Sequence, residues 1–86
     1  MFYVYILKSK VDNDLYIGPT NNLKRRFFLH NSKRVPSTAP RTPFSLIYYE
    51  AYKSEKDARK RESSLKSRGQ ARKALIERIN QSLEDS

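Results

Sequence analysis

Polarity is nearly absent from the first eight residues, and the way it returns after them sets the order of the elements. From Met1 to Lys8 almost every side chain is β-branched, aromatic or leucine. In a strand, Tyr3, Tyr5 and Leu7 share one face and Phe2, Val4 and Ile6 the other. Ser9 to Asp14 (SKVDND) is polar and turn-prone, so this strand folds back antiparallel onto Leu15 to Gly18, which Gly18-Pro19 ends. Thr20 or Asn21 then caps a helix near 21–31 whose Leu23, Phe27 and His30 form one stripe. The stretch 32–43 has three prolines, three cations and no period, and reads as a loop over the surface. Phe44 to Tyr52 returns to strand character, apolar at nearly every position up to Tyr49, as in a strand covered on both faces. Ser54, with Asp57 three residues on, starts a helix that runs to about Ser67. Gly69 breaks it, and a last helix follows with Ala71, Leu75 and Ile79 on its inner stripe.

The pattern predicts an α+β domain in the order β-β-α-β-α-α: a three-stranded antiparallel sheet flanked by helices. The strands fall near 2–8, 14–18 and 44–52, and the helices near 21–31, 54–67 and 70–82. One domain covers 1–83, with a frayed tail at 84–86. A chain of 86 residues hides only about 60% of its unfolded surface, which leaves no room for a deep pocket. Leu23, Phe27, Ile47, Ala58, Leu65, Leu75 and Ile79 are the expected core.

Charge adds a direction to this outline. Eighteen Lys and Arg against nine Asp and Glu give a formal net charge of +9. Such an excess favours a polyanionic partner, nucleic acid first. The plainer reading is a surface kept soluble by self-repulsion, and an anionic membrane is the third. The helices set only Ala and isolated Leu opposite their cations, where a membrane-surface helix needs large apolar residues. Lys24, Arg25, Lys33, Arg34, Arg41 and Lys66 are the candidate phosphate contacts. The absence of cysteine excludes disulfides and thiolate zinc, and fits a reducing cytoplasm. The apolar runs are too short to span a bilayer, and Met1 to Leu7 lacks a basic n-region. The expectation is a soluble, unprocessed, monomeric cytoplasmic protein.

Candidate chemistry starts at the first helix. Arg26 and the chain's only histidine, His30, border its apolar stripe, and Tyr16 lies on the preceding strand. A phenol, a guanidinium and an imidazole can therefore meet at one spot. Each also has a plainer role, as a core ring or a surface cation. Glu62 stands with Ala58 and Leu65 at i, i+4 and i+7 on the stripe that faces the sheet. A carboxylate there loses several kcal/mol of solvation unless a cation, a metal or donors meet it. It is either an internal ion pair, for instance with Arg26, or a metal ligand. Asp12 and Asp14 set a turn, since no further carboxylate or glycine completes a calcium loop. A lone histidine makes no zinc site.

Tyr16-Ile17-Gly18, followed by Thr20, Asn21, Leu23, Arg26 and His30, resembles the second half of the GIY-YIG nuclease domain. Tyr3-Val4-Tyr5 corresponds to the first half, with Tyr3 where the family name has Gly. Leu46 to Glu50, and Ala58 to Glu62 (ARKRE), fall where the family has its third strand and the helix bearing its metal-binding glutamate. The likeness covers about residues 2 to 78 and is to the short single-domain (UPF0213-like) members. It implies a divalent-metal-dependent endonuclease that hydrolyses phosphodiester bonds in DNA, structured or damaged, or in RNA. Tyr5 and Tyr16 would help to activate water, Arg26 would stabilise the pentacovalent phosphate, His30 would orient water or carry a proton, and Glu62 would hold Mg²⁺ or Mn²⁺. Thr20, Asn21, Asn31 and Thr38 sit at family-like positions as supports. A phenol with an ordinary pKa of about 10 is ionised roughly one part in a thousand at pH 7, so this mechanism expects the site to lower that value. Pro19 departs from the pattern by removing a backbone donor after the motif glycine. With no separate DNA-binding domain, specificity would come from a protein partner or from DNA shape. The alternatives are a basic nucleic-acid-binding module that does not cleave and an interaction protein for an acidic partner.

Overall fold

The computed structural model describes residues 1–85. Strands β1 (Phe2–Ser9) and β2 (Leu15–Thr20) precede helix α1 (Leu23–Asn31) and a 3₁₀ turn (Ala39–Arg41). Strand β3 (Phe44–Tyr52) and helices α2 (Glu55–Lys66), α3 (Gln70–Arg78) and α4 (Asn80–Glu84) follow. The sheet is antiparallel in the order β2-β1-β3, so the α+β architecture stands as expected. β1 is nearly all apolar because it is the middle strand and is covered on both faces. Val4 and Ile6 pack with Ile17, Ala58, Leu65, Leu75 and Ile79 on the side of α2 and α3. Tyr5 and Leu7 pack with Phe44, Tyr16, Leu23 and Phe27 on the side of α1. Of the expected core, Leu23, Phe27 and Ile47 are only half-buried. Among the described residues, no helix is long and apolar enough to cross a membrane.

Four local differences have physical reasons. β3 is covered on both faces only in part: Phe44 is buried on the α1 side, and a bulge puts the adjacent Ile47 and Tyr48 together on the α2 side. Ile6 lies opposite Tyr48 but Leu7 opposite Leu46, which leaves Ile47 as the extra residue. Ile47 and Tyr48 both join the α2 side, while Leu46 and Tyr49 on the other face are exposed. Second, Gly18-Pro19 does not end β2. Pro19 lies opposite Val4 on an edge strand, where a missing N–H is tolerated. Helix α1 therefore starts later, with Asn22 as its cap: Asn22 Oδ1 accepts from the Arg25 N–H at 3.1 Å. Third, the last helix is two. Ile79 closes α3 and opens α4, and α4 is tied to β1 by Lys8 Nζ donating to the Leu83 carbonyl at 2.9 Å. Glu84 ends α4; of the tail expected to fray, Ser86 lies outside the described residues. Fourth, the loop 32–43 is not merely superficial, because Val35 and Thr38 are buried. The β1–β2 turn agrees with its reading: Asp12 Oδ1 accepts from the Asp14 N–H at 2.9 Å across Asn13, whose φ is 59°.

Helix α2 is pinned to the sheet through one carboxylate. Glu50 accepts from Tyr48 at 2.6 Å, from Tyr52, and from Arg61 at 3.0 Å on each of its two oxygens. Burial pushes the Glu50 carboxyl up, but Arg61 and the two tyrosines outweigh it and hold it below the usual range.

Candidate active site

Tyr5 and Gly18 lie opposite each other on β1 and β2, and the site begins with that pair. The Tyr5 ring crosses directly over the glycine. A Cβ at Gly18 would stand 2.7 Å from the Tyr5 hydroxyl, 2.9 Å from its Cζ and 3.0 Å from Cε2 of Tyr16. Glycine is needed here for space, not for an unusual backbone angle, since no glycine has positive φ. With the gap clear, the Tyr5 hydroxyl reaches α1.

There it enters a chain of hydrogen bonds with one direction. Arg26 Nε donates to the Tyr5 hydroxyl at 3.4 Å. Tyr5 lies 2.8 Å from His30 Nε2, and His30 Nδ1 lies 2.8 Å from Thr38 Oγ1. The Thr38 hydroxyl donates to the Val35 carbonyl at 3.3 Å. Thr38 thus has its proton committed and accepts from Nδ1–H, which makes Nε2 the acceptor of the Tyr5 proton. His30 and Tyr5 are almost wholly buried, at 0% and 1% exposure. The edge of Tyr16 closes on the imidazole, with ring centroids 4.9 Å apart, and Phe44 covers it from the other side at 5.9 Å. Tyr16 itself is half-buried, and its hydroxyl interacts with those of Tyr5 and with Arg26. Asn31 holds the far wall. Its Oδ1 accepts from the Phe44 N–H at 2.7 Å and its Nδ2 donates to the Phe44 carbonyl at 3.1 Å.

The protonation states follow from burial. Burial pushes the Tyr5 phenol up to about 12, against the opposing pull of Arg26. Arg26 lowers this phenol as expected, but desolvation outweighs it, so these side chains by themselves raise the value that the mechanism expects the site to lower. Burial, and then the Arg26 charge, push His30 down to about 4. The hydrogen bond to Tyr5 holds Arg26 further toward its charged form. At neutral pH the chain is a cation, a protonated phenol and a neutral imidazole. Outside it lies a cleft of about 270 Å³ into which Arg26 also opens, lined by Tyr3, Pro19, Thr20 and Asn21, and by Ala58 and Arg59 of α2.

The GIY-YIG catalytic domain family matches residues 1–75 of the chain. The chain belongs to that family. Its similar relatives include a UPF0213 protein of Staphylococcus haemolyticus, 43% identical over 79 residues, which cover 88% of this chain and 95% of that protein. A UPF0213 protein of Clostridium perfringens is 43% identical over 67 residues, 77% of this chain and 71% of its own. The solution NMR structure of a UPF0213 protein from Bacillus halodurans aligns with a TM-score of 0.56 at 32% identity, over 92% of this chain and 85% of that one.

In this GIY-YIG domain the fold brings together four residues named from sequence: Tyr5, Tyr16, Arg26 and His30. Glu62 stands apart from their hydrogen-bond chain, on α2. It lies between the buried Ala58 and Leu65, its side chain only 14% exposed. Its ion-pair partner is Lys66, at 2.5 Å, rather than Arg26. GIY-YIG nucleases are in general metal-dependent, and the donor set here narrows the type of ion. Among the described residues no three His, Cys, Asp or Glu gather into a metal cage. A lone half-buried carboxylate suits a hard ion that keeps its waters. Of the cations named from sequence, Lys24, Arg25, Lys33 and Arg34 are exposed. Arg41 is held by Asp12 at 2.8 Å and lies 5.5 Å from the Phe44 ring centroid, and Lys66 is held by Glu62. Tyr3 stands edge-on to Tyr49 at 6.0 Å and has no place in the Tyr5 chain. One trio and one pair went unread in the sequence. Tyr48, Glu50 and Tyr52 alternate on one face of β3, and Glu55 and Arg59 are an i,i+4 pair on α2, so both had a visible spacing.

Proposed function

We propose that this protein is a metal-dependent endonuclease that hydrolyses phosphodiester bonds in DNA, acting as a single domain over residues 1–83. The observation that carries the reading is the one-way chain from Arg26 through Tyr5 to His30 and Thr38, set beside a basic cleft. A phosphate in the cleft meets Arg26, whose hydrogen bonds strengthen as charge builds on the phosphoryl oxygens. The attacking water gives its proton to the tyrosine pair as its oxygen bonds to phosphorus. Tyr5 passes its own proton to His30 Nε2, while Nδ1–H stays on Thr38. His30 is a poor acceptor first because it is buried and then because of the Arg26 charge. A bound phosphate offsets that charge, so substrate binding itself raises the basicity of the imidazole. Glu62 would hold the metal, Mg²⁺ or Mn²⁺, which when bound supplies Lewis-acid polarisation of the phosphoryl oxygen and stabilises the leaving 3′ oxygen. The exposed Lys66 can give up Glu62 to such an ion.

The test is a panel of labelled structured DNAs and RNAs incubated with Mg²⁺, Mn²⁺ or chelator. Cleavage of at least one DNA with metal and none with chelator is expected. Arg26→Ala should lower the rate by more than it weakens binding, because its largest contribution comes in the transition state. Tyr16→Phe should cut turnover with little loss of stability. A second reading has its own observation: a phenol pushed up to about 12 and a Glu62 already paired suit a basic module that binds without cutting. Retention of every DNA with no cleavage in either metal would select it.

A further inference from the structure

The cleft beside the tyrosine chain has an arginine on each of two walls, and only Arg26 belongs to the chain. Arg59 comes from α2 on the other wall, with Pro19, Thr20 and Asn21 between them. Its partner is Glu55, one turn back on the same helix. Arg59 Nη2 and Nε donate at 3.2 and 3.4 Å, both to the same oxygen, Oε2. The matched fork that makes an arginine–carboxylate pair strong is therefore missing. Arg61 on Glu50 has that fork, with 3.0 Å to each carboxylate oxygen. The Arg59 and Glu55 side chains are also 66% and 55% exposed, so their pairing adds little to the fold. Nearby, the Asn21 side-chain amide makes no hydrogen bond among the described residues and is free to donate into the cleft.

We infer that Arg59 is a second phosphate-binding residue, taking the phosphodiester next to the one at Arg26, and that Glu55 is a built-in anion which the nucleic acid displaces. This deepens the nucleic-acid reading proposed above and names two residues that set how tightly the strand is held. Glu55 occupies Arg59 with the same kind of charge that a phosphate brings. Part of the affinity Arg59 could supply is thus spent on releasing it.

The experiment is fluorescence polarisation of a labelled DNA duplex at several salt concentrations, in chelator so that nothing is cut. Arg59→Ala should weaken binding roughly ten-fold and reduce the slope of log K against log salt by about one. Glu55→Gln should tighten binding roughly two-fold, and that gain should vanish when Arg59 is already Ala. Lys60→Ala and Asp57→Asn, which change the same charges on the same helix outside the cleft, are the controls, and thermal melts verify folding. Arg59→Ala losing no more than Lys60→Ala, Glu55→Gln gaining equally in both backgrounds, or a parent protein that binds no DNA would each overturn the inference. Failure of the nuclease reading looks different: the full binding pattern appears, and no metal restores cleavage.

Discussion

Gly18 shows how little tolerance the site has at the level of single atoms. Its backbone angles suit any residue, yet a methyl group there would sit inside the contact distance of two tyrosines. Gly18→Ala should lower stability by about 1–3 kcal/mol, the usual range for overpacking. Because the displaced atom is the Tyr5 hydroxyl, cleavage should fall further than stability does. Urea unfolding and single-turnover cleavage on the same variant separate the two losses. His30 carries a second expectation at this scale. Its folded pKa of about 4 lies below its ordinary 6.5, so the fold favours the neutral ring. That contribution is full above about pH 6.5 and is lost as pH falls toward 4. Tyr5, Tyr16 and Arg26 are the other ionisable groups facing the imidazole; the Tyr5 phenol is pushed up and Arg26 is held toward its charged form, so neither of these two changes charge in that window. Asp12, pushed down to about 2 mainly by its hydrogen bond from Arg41, acts only at lower pH. Melting temperatures measured from pH 7 to pH 4 should drop, and His30→Gln should flatten the curve. An equally steep curve in the variant would place the proton elsewhere.

At the scale of the elements, the Glu50–Arg61 fork is what fixes α2 against β3, and α2 carries both Glu62 and Arg59. Glu50→Ala leaves Arg61 half-buried without its acceptor, and should lower stability by about 1–3 kcal/mol. Denaturant unfolding checks it; a loss below half a kcal/mol would mean that packing alone holds α2. The elements themselves were legible because period and position agreed. β1 reads as a buried strand and is one, and Ala58, Leu65, Leu75 and Ile79 lie on the buried stripes that their spacing predicts. The misplacements come from interactions that no local pattern encodes. Pro19 reads as a stop only to a reader who does not know that β2 is an edge strand. The extra residue at Ile47 depends on the register with β1, and the break at Ile79 has neither Gly nor Pro to announce it. In the site, Tyr16, Arg26 and His30 were legible from one helical stripe and its neighbouring strand. The direction of the hydrogen-bond chain was not, since it depends on where the Thr38 hydroxyl points from a loop without period.

For the whole molecule, the net charge of +9 bears on the proposed binding of nucleic acid before any chemistry begins. If about six phosphates are neutralised on a duplex, log K should fall against log salt with a slope near −5. Polarisation titrations from low to physiological salt measure it, and binding indifferent to salt would shift weight to a protein partner. Glu62→Ala should abolish metal-dependent cleavage while leaving that binding intact or tighter, because a negative charge is removed from beside the phosphate. Cleavage surviving in Glu62→Ala would remove this residue from the metal site. One feature of the sheet bears on how long the site lasts. Tyr5 sits on the middle strand, paired to Gly18 on one side and Tyr49 on the other. No fraying edge or loop opening can release it, so its amide should exchange with solvent deuterium only when the entire domain unfolds. The phenol that bonds His30 is then held for the lifetime of the native state, while the exposed Arg59 side chain changes rotamer within about nanoseconds.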